Sequence, residues 1–406
     1  MNARAERFPL FDSLRAIAAL SVIGVHGAVT AGIYNDSTLR QFVSHLDVGV
    51  QIFFVISGFL LYRPFARARL EGRSRPATGP YAWRRFLRIV PAYWVALTVI
   101  AWVQLDHAEV FTAIDIPRYY GFLQVYDPGT PFKGIPQAWT LCVEVAFYAV
   151  LPLWALLMRR VPARSPRSWV RSELIMLAGL FAASGLYKAF MVKQGAITDP
   201  SFGPYMLSVP AFLDQFAIGM ALAVLSVWFA DPGHSRPRLL GAVERWPVLP
   251  WAFAAAAFVM VSVGTGYDVN GGTPLTPFQF FAEHYLFAAV ALGVVLPGVF
   301  GDPEQGVVRR ILANRVLLSL GVVSYGMYLW HSAAFEQLNR WGFGTVAAET
   351  HPYAWYAAGI AVTVVVATAS YFVVEKPALR LKRLVGSRDP GPPGEALREP
   401  TAVGGR

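Results

Sequence analysis

Two ionisable residues interrupt an otherwise apolar stretch near the start of the chain, Arg15 and His26 in FDSLRAIAALSVIGVHG. They are eleven residues apart. Eleven helical steps of about 100° overshoot three turns by about 20°, so both side chains fall on one stripe, roughly 16 Å apart along the axis. The plain account is a snorkelling arginine and a hydrogen-bonded core histidine. Two such residues on one stripe of an apolar helix are costly unless they share a cleft, so the spacing points to a polar channel with a titratable group at its deep end.

Further along, WRRFLRIVPAYW places Arg84 and Arg88 four apart on one face with Arg85 beside them. Such a cluster suits multidentate phosphate binding, although an ordinary anchor at the membrane surface has the same spacing. In WTLCVEVAFY a lone glutamate, Glu144, sits in an apolar run. Buried carboxylates pair with a cation or become neutral, so Glu144 is either the structural partner of an arginine or a site residue. Ser57 and Gly58 in GVQIFFVISGF permit close helix approach. Cys142 reads as a small buried hydrophobe, His331 in SYGMYLWH as a satisfied core or interfacial histidine, and Glu375-Lys376-Pro377 as a local charge pair with a helix stop. A Gly-rich phosphate loop, a Gly-x-Ser-x-Gly elbow and a His-x-x-x-His pair are all missing, so serine hydrolase and metallopeptidase chemistry lack support and no metal site is expected.

The elements that must position these residues follow from composition. Of 406 residues 55% are hydrophobic and 15% charged, against roughly 25% charged in soluble domains. A single cysteine excludes an internal disulfide and a Cys-rich zinc site. A membrane-crossing helix needs roughly 20 mostly apolar residues. Such runs lie near 9–32, 46–63, 86–105, 137–158, 172–191, 207–230, 248–265, 278–300, 316–335 and 353–374. The expected fold is therefore an all-α polytopic membrane protein of about ten transmembrane helices. Threaded this way, 28 of the 35 lysines and arginines fall on one side and six on the other. That is the positive-inside pattern, and it places both termini in the cytosol. The net charge of +10 thus reflects topology and lipid headgroups rather than nucleic acid. Residues 1–378 are expected to form one transmembrane domain, and the Gly- and Pro-rich segment 379–406 a disordered cytosolic tail.

Taken in order, FDSLRAIAALSVIGVHG, GVQIFFVISGFLL, RRFLRIVPAYW, WTLCVEVAFY, SYGMYLWH and VEKP resemble the acyltransferase 3 family of integral membrane O-acyltransferases. The motifs run from Phe11 to Pro377. Any one is weak; six in order are specific. The resemblance implies ten spans, acetyl-CoA or another acyl-CoA as donor substrate with no permanently bound cofactor, and a hydroxyl of a sugar, polysaccharide or small glycoside as acceptor. It carries functional roles to His26, Glu144 and Arg15 for catalysis and to Arg84, Arg85 and Arg88 for donor binding. Members fused to an outer esterase domain of the SGNH type exist, and that extension is not expected here. Where many members have an aromatic and a proline after the position of Trp330, this chain has His331-Ser332-Ala333, so the resemblance carries no role to His331, and His331→Ala is expected to keep measurable activity.

On this view the arginines hold the phosphates of CoA while the pantetheine arm reaches between helices toward His26. Imidazole, with an unperturbed pKa near 6.5, can take the proton of an attacking hydroxyl, and the CoA thiolate is a fair leaving group. Glu144 would orient the imidazole or pair with Arg15. Direct transfer and an acyl-histidine intermediate are both compatible with these residues. A secondary transporter of sugars or lipid-linked substrates is the alternative, but the matching halves typical of transporters are not evident.

Overall fold

The computed structural model describes residues 8–30, 37–104, 109–266, 275–343 and 351–384. Among them every regular element is helical, as a chain in hydrocarbon requires when its backbone must satisfy itself. The long helices are α1 (Leu10–Thr30), α2 (Gly49–Leu70), α3 (Thr78–Val103), α4 (Trp139–Arg160) and α5 (Pro166–Lys193). They are followed by α6 (Val209–Trp228), α7 (Val248–Val259), α8 (Pro277–Val299), α9 (Arg315–Leu338) and α10 (Pro352–Ser370). Among the described residues nine helices are long and apolar enough to cross a bilayer. The count reaches ten if α7, continued by the π turn Met260–Gly264, is taken as one span with the short helix Arg238–Arg245 that meets it at 94°.

Each expected apolar run becomes a helix, but two helices start more than one residue before the run does. The third was expected from 86 and begins at Thr78; the fifth was expected from 172 and begins at Pro166. Arginines end an apolar run without ending a helix, since arginine is a good helix former. Ser165 starts α5 with a capping box, and Thr276 does the same for α8.

The core centres on α1, which packs against α2 and α9, while α2 packs against α6. The last contact is close because Gly58 lies on the Phe216 carbonyl and Gly219 on the Val55 carbonyl, where any β-carbon would collide. Helices α5 and α10 are peripheral, with mostly exposed apolar faces that suit lipid. A polar cluster holds α5 in place. Lys188 donates to the Asp214 carboxylate of α6, to the Ala211 carbonyl at 2.9 Å and to His284 Nε2 of α8 at 2.8 Å.

Two basic residues among those counted on the two sides of the membrane are interior. Lys188 is one and Arg309 the other; each is essentially unexposed. Arg309 donates to five backbone carbonyls, including those of Pro297, Val243 and Phe300, and ties the ends of α8 and the short helices together. The boundary at 378 falls inside a helix: after the π turn Tyr371–Glu375 come Lys376–Arg380 and a 3-10 turn, Leu381–Arg383. The rest of the segment called a tail, 385–406, lies outside the described residues.

Candidate functional site

The motif residues do not converge on one site. They line two cavities at different depths of the same bundle.

The first is a cavity of about 190 Å³ between α1, α2, α3, α4 and α9. Arg15, Arg85, Arg88 and Glu144 all line it, with Ser57, Tyr148 and Tyr325. Arg85 and Arg88 are three apart on α3 and share the face that buries Tyr81, Ile89 and Ala92. Arg84 lies about 100° round the helix from Arg85, is exposed, and does not line the cavity. Of the expected triplet, Arg85 and Arg88 line this cavity and Arg84 does not, because the buried stripe of α3 runs through 85 and 88.

Glu144 is held by hydroxyls. Its Oε1 accepts from Ser57 Oγ at 2.6 Å and from Tyr148 OH at 2.7 Å. Neither role expected for it is seen in this geometry. It has no ion pair with Arg15, which instead holds Asp12 one turn back at 2.8 Å, and no hydrogen bond to His26. Arg85 Nε is buried without a hydrogen-bond partner. Three guanidiniums against one carboxylate, with one donor unpaired, leave the cavity fitted for an anion.

The second is a cleft of about 320 Å³ lined by His26, Gln104, Gln137, Ser332, Glu336 and Arg340. His26 Nδ1 lies 2.7 Å from Nε2 of His331, to which the resemblance carried no role and which is fully buried. The ring planes are within 2° of parallel with centroids 5.0 Å apart. At that separation the short N···N contact joins the rings edge to edge. His331 Nδ1 lies 2.8 Å from the Tyr328 carbonyl oxygen.

The proton positions follow from this chain. A carbonyl only accepts, so His331 carries its hydrogen on Nδ1. Neutral His331 then offers a lone pair at Nε2, and His26 must donate its Nδ1 hydrogen to it. What remains is an unprotonated Nε2 on His26, a residue that lines the cleft. A signal for His331 was present in the sequence: Ser324, Tyr328 and His331 form a polar stripe at i, i+4 and i+7 on α9.

Between the two cavities lies a partition. Tyr328 OH donates to the Gln137 carbonyl at 2.8 Å and shares a 2.6 Å bond with Thr140 Oγ1. Gln137 Nε2 donates to the carbonyls of Tyr328 and Leu329 at 3.1 and 2.9 Å, and its Oε1 accepts from Ser332 at 3.0 Å. Tyr328 and Thr140 face the arginine cavity, and Gln137 and Ser332 face the histidine cleft.

Comparison with known proteins places this arrangement. No solved structure matches the chain. Among curated proteins it is 25% identical over 399 residues to nodulation protein 10 of Rhizobium leguminosarum bv. viciae, covering 93% of this chain and 95% of that one. It is 27% identical over 341 residues to the exopolysaccharide production protein ExoZ of Rhizobium meliloti, covering 82% and 90%. It is 26% identical over 387 residues to the peptidoglycan O-acetyltransferase OatA of Listeria monocytogenes; 91% of this chain is covered but only 55% of that protein, so the chain spans about half its length. The family model described as an acyltransferase domain matches residues 9–372, nearly the whole of the bundle. The chain belongs to the acyltransferase 3 family and is a multi-pass membrane O-acyltransferase.

Proposed function

We propose that this enzyme takes an acyl group, acetyl in the first instance, from acyl-CoA on the cytosolic side and gives it to a carbohydrate hydroxyl presented from the opposite side, with His26 as general base. The observation that carries this reading is the chain from the Tyr328 carbonyl through His331 to His26, which leaves one basic nitrogen on the cleft opposite the arginine cavity. A carbohydrate acceptor is favoured by the names of two relatives, one a peptidoglycan O-acetyltransferase and the other an exopolysaccharide production protein. The positive-inside distribution favours cytosolic termini and, with them, an arginine cavity open to a cytosolic donor. A transporter reading has no support in a family of acyltransferases.

In the reaction the phosphates of CoA lie against Arg85 and Arg88, and its thin pantetheine arm passes the Tyr328–Thr140 partition. The acceptor oxygen attacks the thioester carbonyl while its proton moves to His26 Nε2. The C–S bond breaks, and the departing thiolate takes that proton back as CoA thiol. His331 accepts the Nδ1 hydrogen of His26 throughout, so the imidazolium that forms in transit stays hydrogen-bonded. A neutral imidazole backed by a peptide carbonyl thus does the orienting that a carboxylate does in a serine-protease triad. Glu144 keeps Ser57 and Tyr148 fixed at the wall of the donor cavity, and Arg15 adds positive charge there.

The test is steady-state turnover of acetyl-CoA by the purified protein in vesicles with an oligosaccharide acceptor. Wild type should release CoA only when acceptor is present. His26→Gln should bind donor with unchanged affinity and release CoA on the order of 10²–10⁴-fold more slowly. Turnover by His26→Gln near the wild-type rate would overturn the base assignment. Acceptor-independent transport of the oligosaccharide would overturn the reaction.

A further inference from the structure

The chemistry above leaves one strongly basic concavity unused. Where the ends of α2 and α4 meet the start of α5, a cleft of about 380 Å³ is lined by Arg69, Arg73, Arg159 and Arg164, together with Ser165 and Trp169. Its floor is rigid. Arg69 donates to Glu173 at 2.6 Å and to the Val161 carbonyl at 2.9 Å, and Arg73 is paired with Glu71. The rim is free: Arg159 and Arg164 are exposed, and neither has a carboxylate partner among the described residues. Arg159 makes only a long bond to the Arg73 carbonyl, at 3.4 Å. The buried indole N–H of Trp169 has no acceptor. The first turn of α5, a helix of 28 residues, adds the positive end of its dipole.

Topology explains arginines on this face but not their convergence on a concave wall with unpaired donors. The cleft also lies close to the donor cavity. It shares Arg69 and Arg159 with a narrow crevice that reaches Tyr62 and Phe65. Phe65 meets the edge of Tyr81, whose hydroxyl donates to the carbonyl of Tyr148, a residue of the arginine cavity. Along α2, Leu61 in that cavity and Arg69 in this cleft are eight residues apart, roughly 12 Å.

We propose that this cleft is a second donor subsite: it takes the ribose phosphate monoester at the nucleotide end of acyl-CoA, with Arg159 and Arg164 as its ligands. A dianionic phosphate offers three acceptor oxygens, enough for two guanidinium forks. Arg85 and Arg88 are then left to the diphosphate nearer the thioester. The inference rests on the acyl-CoA reading of the reaction. An anionic lipid headgroup has the same phosphate chemistry, and the experiment separates the two.

The full-length protein is assayed in vesicles of phosphatidylcholine alone and with added phosphatidylglycerol, using acetyl-CoA and 3′-dephospho-acetyl-CoA as donors. Wild type should show a KM about tenfold to a hundredfold higher for the dephosphorylated donor, the usual scale for one charge-assisted contact. The double variant R159A/R164A should show that raised KM with both donors at an unchanged kcat, and R159K/R164K should recover part of the difference. Both side chains are exposed, so folding should survive. A double variant that still discriminates between the donors as wild type does would overturn the inference while leaving the acyl-CoA reading intact. So would a defect seen only with phosphatidylglycerol, which would assign the cleft to lipid. Failure of wild type to use either donor would overturn the acyl-CoA reading, and the subsite with it.

Discussion

The arginine cavity and the histidine cleft are built on opposite plans. In the arginine cavity the charged groups outnumber their partners: Arg85 keeps an unpaired buried donor, and Glu144 is tied to two hydroxyls instead of to a guanidinium. In the histidine cleft His26 and His331 are joined in a single chain that ends on a backbone carbonyl, leaving one nitrogen available. A binding surface gains from donors that only the ligand satisfies. A proton-transfer group gains from neighbours that hold its tautomer before the substrate arrives. The partition of Tyr328, Thr140 and Gln137 keeps the two plans apart, and its own hydrogen bonds lie within the protein.

The comparison is broken or sharpened most strongly at His26. His26→Gln should lower kcat on the order of 10²–10⁴-fold and leave the donor KM where it was; an effect on KM alone would dissolve the distinction between the cavities. His331→Ala comes next. Losing the group that fixes a ring's tautomer should cost about 10–100-fold in kcat, on the scale of other orienting partners, again with donor KM unchanged. The rate should fall as wild type is acidified and the catalytic imidazole becomes protonated. In His331→Ala the midpoint of that fall should move to lower pH, because the protonated His26 has lost the acceptor of its Nδ1 hydrogen. A variant with the wild-type rate and pH profile would reduce His331 to packing.

Arg88→Ala tests the other region. It should raise the KM for acetyl-CoA about tenfold to a hundredfold with kcat little changed, and the rise should shrink with donors lacking phosphates. Equal loss with every donor would indicate a folding role. Arg84→Ala is the smallest effect: an exposed side chain outside the cavity should change either constant by no more than about twofold. A defect as large as that of Arg88→Ala would mean that the donor contacts the outer face of α3.

Some of this was legible along the chain. About ten spans, their helical nature and the face shared by Arg15 and His26 follow from apolar run length and a 3.6-residue period, which are properties of consecutive residues. The same period offered three arginines on α3 and a lone glutamate on α4 without saying which way either helix turns. Helix rotation is set by what packs behind it: Tyr81, Ile89 and Ala92 inward puts Arg85 and Arg88 in the cavity and Arg84 outside. Likewise Arg309 and Lys188 count as surface charge until carbonyls and carboxylates from other elements enclose them. His26 and His331 are 305 residues apart, and no local pattern says that α1 and α9 are neighbours. Hydropathy tells each helix to enter the membrane; only the pairing of helix faces, down to which nitrogen meets which carbonyl, makes two buried histidines into one base.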